Sequence, residues 1–242
     1  MHSPITESEI LARLLHRDAN MLVLNKPAGM AVHITGHDAV SLEQSFHHLQ
    51  FGLPKPPSLA HRLDRDTSGC LVLGRHRQAL ITLGDLFKEQ KVQKTYLAIV
   101  VGAPPEEAGV ITRPILKSGK GSKWRLTLDD AGQPAETHYR CVASNGALSV
   151  LELSPKTGRT HQLRLHCMGL GCSIVGDPFY GVGEGEYSAK TQPLMLHAWK
   201  ISIPYKPTKP PIEVEAPIPV AMAEMLAAVG SCHPGLVPGS SA

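Results

Sequence analysis

Two aspartates, two arginines and a histidine fall within the nine residues His61-Arg62-Leu63-Asp64-Arg65-Asp66-Thr67-Ser68-Gly69, just before the apolar run Leu71-Val72-Leu73. Ions packed this densely beside a core segment are costly to desolvate, so such a cluster marks a place where its charges are used. Carboxylates interleaved with guanidinium groups suit a site where a carboxylate stays ionised near a polyanion, the arginines serving both carboxylate and phosphates. The residues therefore point to chemistry on a nucleic acid. Either aspartate is a candidate. In an extended segment Asp64 and Asp66 share a face, and nothing in the local charge pattern selects between them.

Local patterns predict the elements that position this cluster. Thr6 is a candidate cap for a short amphipathic helix over residues 6–16, with Ile10, Leu11, Leu14 and Leu15 on one face. A strand over 21–24 stops at the turn Lys26-Pro27-Ala28-Gly29, and a helix over 41–51 is broken by Gly52-Leu53-Pro54-Lys55-Pro56-Pro57. A buried strand over 71–74 precedes a helix over 77–90 whose apolar side carries Leu80, Leu83, Leu86 and Phe87. Strands are predicted over 95–101, 124–128, 136–143, 147–153 and 194–203. A helix over 160–168 has Thr160 as its candidate N-cap, and a last short helix covers 220–229. Strands and helices mix without a βαβ rhythm, so the fold class is α+β. We expect one domain over 1–230, with its core at about 20–218, and a disordered Ser/Gly/Pro-rich tail over 231–242.

Composition narrows the function classes. Hydrophobic residues at 42% and charged residues at 19% of 242 describe an ordinary globular protein, and a net charge of +3 is too mild to argue for nucleic acid by itself. Local charge says more. Arg113, Lys117, Lys120, Lys123 and Arg125 share a stretch with no acidic residue, spaced by glycine and serine. Two readings stand side by side: a flexible basic loop following a phosphate backbone, or a solvated hairpin tip. Five cysteines, odd in number and without a CxxC pair, fit free thiols in a reducing cytoplasm. No secretory leader is expected, and no apolar run approaches the roughly 20 residues of a membrane span. The histidines at 47, 48, 161 and 166 lack metal-ligand spacing and a third ligand, so no metal is expected. A phosphate loop around Gly119-Lys120-Gly121-Ser122 fails at Pro114 and Gly121, and Ser68 lies in no GxSxG elbow.

The cluster at 61–69 resembles the catalytic motif of the RluA-type pseudouridine synthases, which isomerise uridine in RNA. Three further segments resemble that family in the same order. They are Leu24-Asn25-Lys26-Pro27-Ala28-Gly29-Met30-Ala31-Val32-His33, then Lys94-Thr95-Tyr96-Leu97-Ala98, then Thr157-Gly158-Arg159-Thr160-His161-Gln162-Leu163-Arg164-Leu165-His166 with Gly176-Asp177-Pro178-Phe179-Tyr180-Gly181. The likeness covers roughly residues 20 to 205 and departs from the family pattern at Cys70 and at Gly74-Arg75-His76.

The resemblance implies a largely antiparallel central sheet with flanking helices and a catalytic cleft. It also implies that Asp64, rather than Asp66, is the catalytic carboxylate, that Arg164 pairs with it, and that Tyr96 lies against the target base. Arg62 would fill the place of a flipped base, and His61 would either contact the displaced partner or support its loop. Leu163 would line the base pocket or belong to the core. Lys117, Lys120 and Lys123 would meet RNA. The isomerisation gains no atom and loses no electron pair, so no cofactor is required. The implied partner is ribosomal or transfer RNA, bound by a monomer without a separate N-terminal RNA-binding domain. Two other classes remain: an RNA-binding module that has lost catalysis, and a nucleoside hydrolase or glycosidase, which would release free uracil.

Overall fold

The computed structural model describes residues 4–34, 40–119 and 124–230. They form an α+β fold on mostly antiparallel sheet, grouped into two compact units: Met1–Lys94 with Ala198–Pro217, and Thr95–His197 with Ile218–Ala242. No helix among the described residues is long and apolar enough to cross a membrane.

Unit 1 opens with α1 (Glu7–Leu11). Thr6 and Glu9 form a reciprocal cap there, Glu9 N–H donating to Thr6 Oγ1 at 3.4 Å and Thr6 N–H to Glu9 Oε2 at 2.9 Å. The helix predicted over 6–16 stops early, because Leu14–Arg17 is drawn into a strand, β1, paired antiparallel with β2 (Met21–Lys26). Pairing with a sheet edge outweighs the helical spacing of Leu14 and Leu15. The predicted helix over 41–51 is a 3₁₀ segment, Leu42–Leu49, capped by Ser41 and Gln44. The two-residue strand β3 (Ser58–Leu59) joins β4 (Ser68–Gly74), which is buried along its whole length and pairs with β2 from Met21↔Gly74 to Lys26↔Gly69.

Helix α2 (Arg77–Lys88) covers the sheet with Ala79 and Leu83. The unit is completed by the part of a long strand, Leu196–Ile203, that follows His197, and by Ile212–Glu215 paired with it from Lys200↔Glu215 to Ile203↔Ile212. Its core joins Met21, Val23, Val72, Leu83, Ile201 and Val214. Gly69 is required here. Its φ is +107°, and a Cβ would collide with the backbone carbonyl of Ala198.

Unit 2 carries β5 (Gln93–Val101, from Thr95 onward), β6 (Ala108–Ile111), β9 (Thr137–Ser144) and β10 (Leu148–Pro155) in the antiparallel order β5-β10-β9-β6. A separate hairpin lies between β6 and β9 in the chain, formed by β7 (Ile115–Ser118) and β8 (Arg125–Leu128). Its Ile115 and Leu126 pack with Ala135 against Leu165 of α3 (Gln162–Gly169). The final helix, α4 (Val220–Val229), packs on β10. The tail over 231–242 lies outside the described residues.

Candidate active site

In unit 1, β4 begins at Ser68, so the charged half of the motif is the loop that feeds a buried strand. Leu63, Thr67 and Ser68 anchor that loop in the interior. Between the anchors the chain turns, Thr67 N–H donating to Asp64 O at 3.2 Å. The segment is therefore not extended, and strand alternation does not relate the two half-buried carboxylates of Asp64 and Asp66.

A lysine supports the turn from inside. Lys26, at the end of β2, is wholly buried, and its Nζ donates to Pro27 O at 2.7 Å, Met30 O at 2.8 Å and Arg65 O at 2.8 Å. Three ammonium donors meet three carbonyls, so the group is fully satisfied. Burial pulls its pKa down to about 7, opposed by the carboxylates of Asp66 and Asp64. Arg65 returns the link, its Nε donating to Gly29 O at 3.2 Å. The 26–30 segment and the Asp64 turn are thus held as one body. The sequence put Lys26 inside a motif but gave it no role, because a buried cation with only backbone partners leaves no mark on residue spacing.

His61 and Arg62 divide structural and exposed roles. His61 Nε2 accepts the Val72 N–H of β4 at 3.0 Å, and its ring stacks on Phe87 of α2 with centroids 4.6 Å apart. Burial, aided by the nearby Lys94 ammonium, pulls its pKa down to about 3. Arg62 is exposed, its Nη1 3.3 Å from His33 Nε2.

In unit 2, α3 is held by buried polar side chains. Gln162 Nε2 donates to Glu136 O at 2.9 Å and Thr137 Oγ1 at 3.0 Å, while its Oε1 accepts from Thr157 Oγ1 at 2.7 Å and Arg159 N–H at 3.0 Å. One turn on, His166 Nδ1 lies 2.9 Å from Thr137 Oγ1, and its Nε2 lies 2.9 Å from Arg113 O. The N-cap is His161 rather than Thr160. His161 has a left-handed backbone, φ 54°, and its Nδ1 is 2.9 Å from Tyr180 Oη.

These bonds present Arg164, which is 2% exposed, to Asp177. Arg164 Nε donates to Asp177 Oδ2 and Nη2 to Oδ1, each at 2.7 Å. Oδ1 also accepts from Phe179 N–H at 2.9 Å and Tyr180 N–H at 3.0 Å. Burial alone would raise the Asp177 pKa, but the Arg164 guanidinium and those two amides hold it below the ordinary carboxylate range. Asp177 engages two of the five guanidinium donors, so the charge of Arg164 is anchored. Asp177, too, lies in a motif whose residue spacing gives it no role.

Tyr96 is half-buried on β5, opposite Leu153 of β10, and Leu163 is buried on α3. Lys117 is exposed at the end of β7, while Lys120 and Lys123 lie outside the described residues. Of the sequence-derived site residues, Asp64, His61 and Arg62 belong to unit 1, and Tyr96, Leu163, Arg164 and Lys117 to unit 2. Among the described residues no group of three or more His, Cys, Asp or Glu side chains is arranged to hold a metal ion.

The profile of the family described as RNA pseudouridylate synthase matches residues 20–168. An uncharacterised RNA pseudouridine synthase of Zymomonas mobilis is 43% identical over 215 residues, 88% of this chain and 96% of that protein. Ribosomal large subunit pseudouridine synthase C of Buchnera aphidicola is 33% identical over 223 residues, 90% of this chain and 71% of that one. The solved structure of human RNA pseudouridylate synthase domain containing 4 superposes with a TM-score of 0.77 at 27% identity, covering 93% of this chain and 95% of that one. The protein is therefore a member of the RluA-type RNA pseudouridine synthase family, isomerases that act on RNA.

Proposed function

We propose that this protein converts selected uridines of structured RNA to pseudouridine with Asp64 as its essential carboxylate. The observation that carries this reading is the Asp64 turn itself, a half-buried aspartate on a loop tied to the 26–30 segment by the Lys26 hydrogen bond to Arg65 O and the Arg65 hydrogen bond to Gly29 O. A reacting carboxylate needs a rigid mount, because small misplacements at the reacting centre cost large factors in rate. Relatives named for the ribosomal large subunit make ribosomal RNA the first substrate to try, with transfer RNA second.

The reaction breaks the N1–C1′ bond, turns the uracil and joins C5 to C1′. The C5 proton is lost and N1 gains one, so atoms and electrons balance within the nucleotide and water. Asp64 stabilises or traps the sugar or base while the two are separated, as a carboxylate does in glycoside chemistry. Arg164, steadied by Asp177, is the arginine that orients the catalytic carboxylate. Tyr96 faces the uracil, where a phenol can stack on it and assist removal of the C5 proton. The target must first leave its stack at a cost of a few kcal/mol, and the exposed Arg62 offsets part of this by entering the vacancy. His61 supports the loop, since its ring already serves Val72 and Phe87.

The test is tritium release from C5-labelled uridine in unmodified ribosomal and transfer RNA. Wild type releases tritium, and Asp64→Asn loses roughly three orders of magnitude or more while still binding RNA. Substantial turnover by Asp64→Asn moves the role to Asp66. Free uracil in the products replaces the isomerase reading with a hydrolase, and RNA binding without release replaces it with a binding module.

A further inference from the structure

Unit 2 bears a row of aromatic rings at its surface. The chain has only two tryptophans and four phenylalanines, yet Trp124 is 41% exposed and Phe179 is 70% exposed. Single exposed apolar residues are ordinary, but these two are joined through a third ring. The His161 centroid lies 6.1 Å from that of Trp124 and 5.8 Å from that of Phe179, with Tyr180 5.6 Å away. His161 is held in place by its bond to Tyr180 Oη and by its left-handed backbone. A cation stands at each end. Lys117 Nζ is 5.2 Å from the Trp124 centroid, and Arg164 Cζ is 5.3 Å from that of Phe179.

A cavity of about 440 Å³ opens beside the row, lined among others by Leu116, Lys117, Gln133, Arg159 and Thr160. That volume lies within the range of small-molecule sites, and the lining combines an apolar wall, two cations, an amide and a hydroxyl. Exposed rings set beside a polar cavity with exposed cations match the requirements of an unpaired nucleic-acid strand. Bases stack on the rings whatever their identity, while phosphates meet the exposed Lys117 and Arg159. A duplex hides its base faces and has no use for such a row. The row also ends at Arg164, so a strand lying on it continues to the motif that the family shares.

Resting on the reading of RNA as substrate, we propose that Trp124, His161 and Phe179 form a stacking subsite for unpaired bases of that RNA, the adjoining cavity receiving one nucleotide. Oligocytidylate is the probe, because it contains no uridine and its binding is independent of isomerisation. The other tryptophan, Trp199, is 3% exposed, so quenching by the oligonucleotide reads Trp124. Wild-type emission is quenched on titration, and Trp124→Phe loses that quench while keeping most of the affinity, since a ring remains.

Trp124→Ala and Phe179→Ala each weaken oligocytidylate binding about 5- to 150-fold, the range expected for one stacked base, and leave binding of a fully paired RNA unchanged. Both side chains are exposed, and circular dichroism of each variant confirms the fold. Absence of the quench, or wild-type affinity in both alanine variants, overturns the subsite. Tritium release by the wild-type protein, measured separately, tells the two readings apart. Release without a stacking loss removes the subsite alone, and a stacking loss without release removes the isomerase alone.

Discussion

A neutral imidazole is what the Val72 amide requires of His61, because a protonated Nε2 has no lone pair to accept the 3.0 Å hydrogen bond. The consequence is a pH dependence of stability. Below its ordinary pKa of about 6.5 the unfolded chain binds a proton at this histidine, whereas the folded chain does not until about pH 3. Between those limits the unfolded state holds more protons, so stability rises with pH across the window and is lost as pH falls through it. Moving from pH 7 to about 5 should cost about 1–2 kcal/mol at this site. Urea midpoints of wild type and His61→Gln, followed over that range, check it. Equal slopes would show that His61 does not titrate in this way. Lys26 follows another logic. Its burial is tolerated because three carbonyls replace water, and the Asp64 turn inherits the rigidity.

At the scale of elements, α3 is positioned by the buried polar side chains of Gln162, Arg164 and His166 as well as by the apolar packing of Leu165. The link from α3 to Asp177 is the costly one to break. Asp177→Asn exchanges an acceptor for an amide facing a guanidinium that is 2% exposed. Removing one partner of such a pair costs about 3–5 kcal/mol, so the thermal midpoint should fall and turnover with it, while Asp177→Glu keeps part of both. Because the Asp177 pKa is depressed, the stabilisation is full above the unfolded value of about 3.9 and disappears as pH falls through the lower folded value. An Asp177→Asn protein as stable as wild type would show that the pair contributes nothing net.

Which elements the sequence discloses follows the same physics. Strand β4 and helix α2 are legible because burial on both faces, or on one face with helical period, is written into consecutive residues. The four-residue strands β1, β6, β7 and Ile212–Glu215 were not anticipated as such, since pairing rather than propensity makes them strands. Thr160 satisfies the capping rule, yet the αL backbone of His161 begins the helix one residue later. Asp64, Arg164 and Tyr96 are candidates through motif resemblance alone. Lys26 and Asp177 lay in the same motifs and went unassigned, because their partners are backbone groups and a residue 13 positions away.

For the whole molecule, a net charge of +3 is too small to draw RNA by itself, so affinity depends on where the cations lie. The hairpin of β7 and β8 gathers them with no acid between Arg113 and Arg125. Its exposed Lys117 stands by Trp124, while Lys120 and Lys123 belong to the same connection in sequence. Each phosphate contact releases counterions, contributing about 0.7 for single strands to 0.9 for duplexes to the slope of log affinity against log salt. Replacing Lys117, Lys120 and Lys123 by alanine should therefore weaken RNA binding at low salt and flatten that slope by about 2. Stacking behaves differently, because a ring carries no counterion. Loss of Trp124 shifts the line downward and leaves its slope alone. Filter binding over a salt series, with the triple variant and the ring variant side by side, separates charge from stacking. If the triple variant keeps the wild-type slope, the hairpin tip is merely solvated and its lysines make no phosphate contact.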